Sequence, residues 1–261
     1  MSDFLYSILL GAIQGITEFL PISSTGHLVI FRDILGINVE NGLAFDAVLQ
    51  LATVLSVLVY FRKDIVGLIK ASVDTTKKEE RRLLKFLIVG TVPAVLLGLF
   101  FQDTIEQYFR STLTVSIFLI LGALVMFFSE KFLQEKDLTT KKSIIIGLFQ
   151  SLALLPGMSR AGMTISGGYF LGLKKDLAIR FSFLLSIPII GGSGLYKLLE
   201  IVGDKELFST VWPQLLVGSI SAFIFGIISI GFLIKFLRTH SFKGFVVYRI
   251  LLALFLMLFL I

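Results

Sequence analysis

The chain has 261 residues, of which 56% are hydrophobic, a mean hydropathy of +0.92 and a formal net charge of +6. Because soluble domains are only about 45 to 50% apolar, this composition excludes a soluble globular protein and indicates an integral membrane protein. The sequence contains no cysteine, which excludes a disulfide framework, a thiolate nucleophile and a thiolate metal site. Apolar stretches recur from residue 4 to the last residue, so we expect residues 1–261 to form a single membrane domain.

Six apolar stretches are long enough to cross a bilayer as helices, which takes about 20 residues. In chain order they are 43–61, 83–101, 112–129, 181–200, 211–234 and 244–261. Two further apolar stretches, 4–31 and 143–173, are interrupted near their centres by polar residues, glycine and proline. Their halves, of about 12 residues, are too short to cross, so each is predicted to form a re-entrant helix pair. The predicted fold is therefore an all-α polytopic membrane protein with six spanning helices and two re-entrant pairs.

The distribution of Lys and Arg predicts the orientation of the chain. Four loops hold 19 of the 24 basic residues if they share one face: 62–85, 131–142, 174–180 and 235–249. Because basic loops remain on the cytoplasmic side of a membrane, this face is predicted to be cytoplasmic and both termini to lie outside. The net positive charge then reflects topology and contact with anionic lipid, so we do not expect nucleic-acid binding.

The sequence also contains an internal duplication. Residues 11–26, GAIQGITEFLPISSTG, align with 147–162, GLFQSLALLPGMSRAG, and LIVGTVPAVLLGLF at 87–100 aligns with LLVGSISAFIFGII at 215–228. In the predicted orientation the matching segments enter from opposite faces, so the two repeats are inverted; they cover about 1–130 and about 143–261. Inverted repeats with broken helices place a binding site near the membrane midplane, where the two re-entrant tips would meet.

The two tips carry the candidate functional residues. The first contributes Gln14, Glu18, Ser23, Ser24, Thr25 and His27, and the second contributes Gly157, Ser159, Arg160 and Thr164. Ionisable residues at membrane depth are costly and are by default functional. An arginine at that depth, beside amide-rich turns that open onto helix N-termini, indicates a phosphate site, because a guanidinium binds phosphate through two parallel hydrogen bonds.

Several of these residues also have a structural interpretation. Glu18 and Arg160 could form a buried ion pair that joins the two repeats, and His27 could stabilise its loop by hydrogen bonding. Ser and Thr hydroxyls in membrane helices usually bond a carbonyl one turn back. Asp46 and Gln50, one turn apart in the first predicted span, could line the cavity, but a structural role is favoured for them.

At these tips the sequence resembles the bacterial undecaprenyl-diphosphate phosphatases of the bacitracin-resistance type. The first family motif, Glu/Gln-x-x-x-Glu, corresponds to 14-QGITE-18 and continues into 19-FLPISSTGH-27; the second corresponds to 156-PGMSRAGMT-164. With the length, the hydropathy and the inverted duplication, the resemblance covers essentially the whole chain. Two positions depart from the family pattern: Gln14 stands where many members have Glu, and Ala161 where many have Ser.

The resemblance implies hydrolysis of undecaprenyl diphosphate to the monophosphate, at a site that opens to the outer face of the bacterial cytoplasmic membrane. It also implies a divalent cation, Mg²⁺ or Ca²⁺, for which Glu18 is the candidate metal ligand. Arg160 would clamp the phosphoryl group, and the attacking group would be Ser24, activated by Glu18 or His27, or else a water activated by one of these two. The other tip residues expected to bind phosphate are Gln14, Ser23, Thr25, Gly157, Ser159 and Thr164. The expected partners are the polyprenyl diphosphate lipid and the membrane, and a homodimer is an assembly that the sequence leaves open.

A second hypothesis belongs to another functional class. Inverted repeats with broken helices also typify secondary transporters, so the chain could instead be a carrier or flippase that moves a phosphorylated lipid by alternating access. A carrier needs only the anion clamp, whereas Ser24 and His27 beside that clamp favour an enzyme.

Overall fold

The computed structural model of the chain describes residues 3–35 and 42–259, which fold into α-helices joined by short turns. The helices are α1 (Asp3–Phe19), α2 (Ser24–Leu35), α3 (Gly42–Tyr60), α4 (Arg62–Val73), α5 (Lys78–Tyr108), α6 (Thr112–Ser129), α7 (Thr140–Leu152), α8 (Arg160–Phe170), α9 (Lys175–Gly203), α10 (Lys205–Thr239) and α11 (Lys243–Phe259). A short 3₁₀ turn, Glu130–Phe132, follows α6. The prediction of an all-α polytopic membrane protein is confirmed.

Four helices in the described part of the chain are long and apolar enough to cross a membrane: Lys78–Ile105, Thr112–Phe132, Lys175–Gly203 and Lys205–Thr239. A fifth span results if α3 and α4 are taken together, although the chain bends by 84° between them. The sixth predicted span, 244–261, corresponds to α11, which has 17 residues and ends where the described residues end. The predicted number of six spans is therefore not confirmed.

Helix α4 lies within a segment that the sequence analysis treated as a basic loop, 62–85. Its charged residues Arg62, Lys63 and Lys70 are exposed, whereas Leu68 and Ala71 are buried against the protein. A helix that exposes both basic residues and apolar residues such as Ile69, and that turns sharply away from the span before it, is typical of a segment that lies along a membrane surface. The loop prediction was wrong in this part, because basic residues had been interpreted only as topology signals.

Both predicted helix interruptions are present as breaks. Helix α1 ends at Phe19 and α2 begins at Ser24, whereas α7 ends at Leu152 and α8 begins at Arg160. Each break contains a proline, which cannot donate a backbone hydrogen bond and disfavours a helical residue before it. The helices on either side of each break pack against each other. Whether each pair returns to the face from which it entered stays a prediction.

The broken segments are held by close contacts with helices from the other half of the chain. Helix α1 packs against α10, and α7 packs against α5. At Gly11 an added Cβ would lie 2.2 Å from the carbonyl oxygen of Gly218, and at Gly147 it would lie 2.2 Å from the carbonyl oxygen of Gly90. The four glycines occupy matching positions in the two pairs of aligned segments. Equivalent positions of the duplicated sequence therefore make equivalent helix–helix contacts. The repeat boundaries and their inverted orientation stay predictions.

Aromatic packing fixes the end of α1 next to the first break. The ring of Phe19 meets that of Phe183 on α9 edge-on, with ring centroids 5.6 Å apart, and Phe61 contacts the same ring at 5.7 Å. All three side chains are buried. The residue before Phe19 is Glu18, so this packing determines where the carboxylate at the end of α1 can lie.

The contact between α7 and α5 predicts a sharp difference between two glycines. Gly147→Ala should lower the free energy of unfolding by about 1 to 3 kcal/mol, because the new methyl group would meet a backbone oxygen that cannot move aside. Gly192→Ala is the matched control, since among the described residues nothing beyond its own turns of helix lies within 4 Å of its added Cβ, and alanine favours a helix. Thermal unfolding of the purified protein in detergent measures both variants. Equal midpoints for the two would contradict the close packing.

Candidate active site

The two helix breaks meet at a cavity of about 150 Å³. Its lining includes Ser23, Ser24 and Thr25 from the first break and Gly157, Ser159 and Arg160 from the second. The other lining residues come from α1, α3, α5, α7, α9 and the second break: Glu18, Gln50, Ala94, Gln150, Ala153, Leu154, Leu155, Ile189, Ile190 and Ser193. The residues of the two tips, which were predicted to meet, thus surround one space. Most of the predicted set lines this cavity, and three members, Gln14, His27 and Thr164, lie behind its wall.

Glu18 is the hydrogen-bonding centre of the cavity. Its Oε2 accepts a hydrogen bond from Ser24 Oγ at 2.7 Å and another from Gln14 Nε2 at 3.0 Å. Its Oε1 accepts from Arg160 Nη2 at 3.0 Å. The residue is only 6% exposed, so these contacts replace most of the water that a free carboxylate would bind. A serine hydroxyl held directly on a buried carboxylate is the arrangement of a nucleophile with its base.

Arg160 supplies the positive charge of the cavity. Besides its ion pair with Glu18, its Nη1 donates to the carbonyl oxygen of Ser182 at 3.4 Å. Its Nε is buried and has no hydrogen-bond partner among the described residues. The ion pair between the repeats is therefore present, as the structural interpretation of these residues proposed. The ion pair does not engage Arg160 Nε, and Arg160 lines the cavity, so this donor remains for a ligand.

Two helix N-termini also face the cavity, because the residues that precede α2 and α8 line it. Ser23 and Ser159 both have left-handed backbones, with φ of 74° and 70°, which is strained for a residue other than glycine. The Oγ of Ser23 accepts from the amide of Gly26, and that of Ser159 accepts from the amide of Gly162, each at 3.3 Å. Each serine therefore caps its helix. The partial positive charge of both helix ends favours an anion in the cavity.

Gly157 lets the second break pass close to α6. Its φ is +104°, and an added Cβ would lie 2.5 Å from the carbonyl oxygen of Val115. A residue with a side chain would therefore be both strained and obstructed here. The binding of phosphate by Gly157 stays a prediction. In the structure its left-handed backbone lets the second break run along the cavity.

Two of the predicted site residues, Gln14 and Thr164, contact other groups of the protein. Gln14 is fully buried and holds the Glu18 carboxylate. Thr164 is 1% exposed; its hydroxyl donates to the Arg160 carbonyl at 2.8 Å and contacts the Ser182 hydroxyl. These contacts support the two charged residues from behind, and the direct binding of phosphate by Gln14 and Thr164 stays a prediction.

His27 faces α11 and does not line the cavity. Its Nδ1 lies 2.8 Å from the carbonyl oxygen of Ser23, and its Nε2 lies 2.6 Å from the hydroxyl of Tyr248. Since a carbonyl can only accept, Nδ1 of the neutral ring donates and Nε2 accepts from the tyrosine. Both ring nitrogens are therefore engaged in holding the first break. The role of His27 as a base stays a prediction, which this arrangement does not favour.

A second cavity, of about 260 Å³, continues the first. The two share Thr25, Gln50, Ala153, Leu154 and Ser193. The second is also lined by Asp46, Arg110 and Lys197. The sequence analysis favoured a structural role for Asp46 and Gln50, yet both contribute to the cavity walls. In the predicted topology Arg110 and Lys197 belong to the face that carries few basic residues, so the second cavity would lead from the first toward that face.

Arg249 is a residue that sequence analysis misplaced, since it was counted in the cytoplasmic loop 235–249. Its side chain is fully buried on α11. It donates to the carbonyl oxygens of Gly157 at 2.7 Å and Pro21 at 3.2 Å, one in each break, and to two carbonyls of α6, Leu119 at 3.1 Å and Phe118 at 3.3 Å. One guanidinium therefore fixes the two breaks relative to each other. A basic residue six positions into an apolar segment looks like a flanking charge, so the sequence held no signal for this role.

The described residues contain no group of three His, Asp or Glu side chains that could hold a metal ion unaided. A Mg²⁺ ion that is shared with substrate phosphates needs only one or two protein carboxylates. Glu18 is the carboxylate in the cavity, and three of its roughly four acceptor positions are used. The site therefore fits a cation that is held jointly with a phosphorylated substrate.

Comparison with known proteins agrees with this chemistry. The family model of the bacitracin resistance protein BacA matches residues 7–255, and the chain belongs to that family. A protein of Methanosphaera stadtmanae is 43% identical over 95% of both chains, and one of Chloroherpeton thalassium is 40% identical over 98% of this chain and 96% of its own. A protein of Corynebacterium glutamicum is 44% identical over 97% of this chain and 89% of its own. All three relatives are named undecaprenyl-diphosphatase.

The four carbonyl contacts of Arg249 predict a large stability effect. Arg249→Met should lower the free energy of unfolding by more than about 3 kcal/mol, because it leaves four buried carbonyls without this donor. Arg238→Met is the control, since Arg238 is 60% exposed in its ion pair with Asp176 and should contribute less than about 1 kcal/mol. Thermal unfolding in detergent compares them. A small, similar loss in both would show that Arg249 does not hold the breaks.

Proposed function

We propose that this member of the BacA family removes the terminal phosphate of undecaprenyl diphosphate and releases undecaprenyl phosphate and inorganic phosphate. The observation that carries the proposal is the contact of Ser24 Oγ with Glu18 Oε2 at 2.7 Å, beside Arg160 in one cavity. A carrier would need the positive charge but no hydroxyl held on a carboxylate. The names of the relatives give the same substrate.

The reaction begins with attack by Ser24 Oγ on the terminal phosphorus. A bond forms between Oγ and phosphorus, the bond from phosphorus to the bridging oxygen breaks, and the serine proton moves to Glu18 Oε2. Glu18 then gives this proton to the departing polyprenyl phosphate. Water next attacks the phosphoserine and gives a proton to Glu18, and Ser24 recovers a proton as inorganic phosphate leaves.

Arg160 and the two helix N-termini act on the charge of the transferring phosphoryl group. Phosphoryl transfer is catalysed mainly by positioning and by electrostatic stabilisation, so fixed donors around the terminal oxygens lower the barrier. Arg160 Nε is buried without a partner among the described residues and can donate to such an oxygen. The first-turn amides of α2 and α8 add donors that need no reorganisation.

A divalent cation, Mg²⁺ or Ca²⁺, would be bound by Glu18 together with the substrate phosphates. It would supply additional positive charge to the diphosphate. The remaining acceptor position of Glu18 supports this role, and the enzyme's own residues supply the nucleophile and the base.

The polyprenyl chain would occupy an apolar groove beside the cavity. A groove of about 540 Å³ runs along α5 and α7 and shares Leu154 and Leu155 with the catalytic cavity. Its other lining residues are mostly apolar, among them Phe101, Phe109 and Phe149. A lipid could therefore keep its chain among apolar side chains while its diphosphate reaches Ser24.

The protein would lie in the bacterial cytoplasmic membrane with its active site open to the outside. The second cavity supports this orientation, because it leads from the site to Arg110 and Lys197 on the face that is poor in basic residues. The opposite face carries the basic helix α4. Substrate would enter, and phosphate would leave, on the outer side.

The serine mechanism is tested by comparing two cavity hydroxyls. Ser24→Ala should reduce phosphate release from undecaprenyl diphosphate by far more than the roughly 10- to 150-fold that one lost hydrogen bond to a charged group explains. Ser193→Ala is the matched control, since Ser193 lines both cavities and donates only to a carbonyl of its own helix. Rapid quenching of the native enzyme should trap a phosphoserine.

Other results point elsewhere. If Ser24→Ala loses only a modest part of the activity and no phosphoserine is trapped, the attacking group is a water activated by Glu18 and not Ser24. If the native protein binds the lipid but releases no phosphate, the carrier hypothesis replaces the enzyme.

The orientation is tested by labelling single cysteines, because the native chain has none. Lys205→Cys lies at an exposed position at the start of α10 and should react with an impermeant thiol reagent in intact cells. Thr75→Cys is exposed between α4 and α5 and should react only after the cells are opened. Labelling in the reverse pattern would overturn the outward-facing site.

A further inference from the structure

Gln150 is a buried polar residue of the cavity to which the mechanism assigns no role. It lies near the end of α7, is 2% exposed and lines the catalytic cavity. Neither its Nε2 nor its Oε1 has a hydrogen-bond partner among the described residues. A buried amide without partners is unfavourable, and native proteins rarely keep one without a function.

The internal duplication explains why this amide lacks a partner. Gln150 aligns with Gln14, and the residue four positions later is Leu154 in the second repeat where the first has Glu18. Gln14 donates to that carboxylate at 3.0 Å. Gln150 has an apolar side chain at the equivalent place, so the contact that engages the first glutamine does not exist for the second.

The surroundings of Gln150 determine which ligand it can bind. Arg160, Ser24 and the N-termini of α2 and α8 line the same cavity, and each of them offers a proton or positive charge. Such a cavity admits an anion that is rich in acceptor oxygens. The Nε2 group can donate to an oxygen of this kind, as the guanidinium of Arg160 in the same cavity can.

We infer that Gln150 is a substrate-binding residue whose Nε2 donates a hydrogen bond to a phosphoryl oxygen of the bound diphosphate. The inference rests on the proposed function. The two aligned glutamines then have different roles: Gln14 holds the catalytic carboxylate from behind, and Gln150 contacts the substrate. It also gives the second repeat a neutral donor beside its charged Arg160.

The test uses Gln150→Met, which keeps a similar side-chain length and removes both polar atoms. We expect kcat/KM for undecaprenyl diphosphate to fall roughly 10- to 100-fold, the effect of one hydrogen bond to a charged group. The midpoint of thermal unfolding should be unchanged or higher, because the unpaired amide has gone. Ser129→Ala is the control; its buried hydroxyl donates to the Met126 carbonyl and lines neither the catalytic cavity nor the apolar groove, so this variant should retain native activity.

A second measurement does not depend on turnover. Inorganic diphosphate should raise the unfolding midpoint of the native protein, and it should raise that of Gln150→Met by clearly less. If the variant retains native kcat/KM, unfolds at a lower temperature, or responds fully to diphosphate, the inference is overturned and Gln150 is a packing residue. A native protein that responds to diphosphate but releases no phosphate would contradict the proposed hydrolysis and leave the role of Gln150 in anion binding supported.

Discussion

Two helix breaks inside an apolar protein create the constraint on which this site depends, because every backbone group that they free must find a partner within the protein. One carbonyl in each break is satisfied by Arg249, which donates to Pro21 in the first and Gly157 in the second. The amides are treated differently. Ser23 and Ser159 each cap one amide of the following helix, and the partial positive charge of both helix ends faces the cavity. The same breaks that would destabilise an ordinary span thus produce an anion site.

The ion pair of Glu18 and Arg160 stabilises this site when no substrate is bound. An isolated buried guanidinium would be strongly unfavourable, and the neighbouring carboxylate offsets that cost without consuming every donor. In the proposed mechanism a diphosphate would compete with the carboxylate for Arg160, and Glu18 would become more available to accept the proton of Ser24. One charged pair can therefore both stabilise the resting protein and prepare the reaction.

The sequence was sufficient to predict the two breaks and the meeting of Glu18, Ser24 and Arg160, because polar residues in the middle of apolar runs have few explanations. It could not separate residues that line the cavity from those that support its wall. His27 and Thr164 lie within the same motifs, yet both bond a carbonyl one turn back, which only the direction of the side chain reveals. Arg249 was misplaced because a buried cation and a flanking cation look alike in sequence. The alignment of Gln150 with Gln14 was visible, but the loss of its partner at Leu154 carried meaning only once the cavity was known.

The glycine contacts of α1 with α10 and of α7 with α5 mean that each of these two helices packs mainly against a helix from the other half of the chain. If the polypeptide were cut between α6 and α7, each fragment would retain a helix whose glycine face had lost the backbone it packs against. The two fragments would be complementary, and each would need the other before its break could be buried. Assembly of this fold is therefore a late event in synthesis, since α1 must wait in the membrane until α10, more than 180 residues further along the chain, has been made.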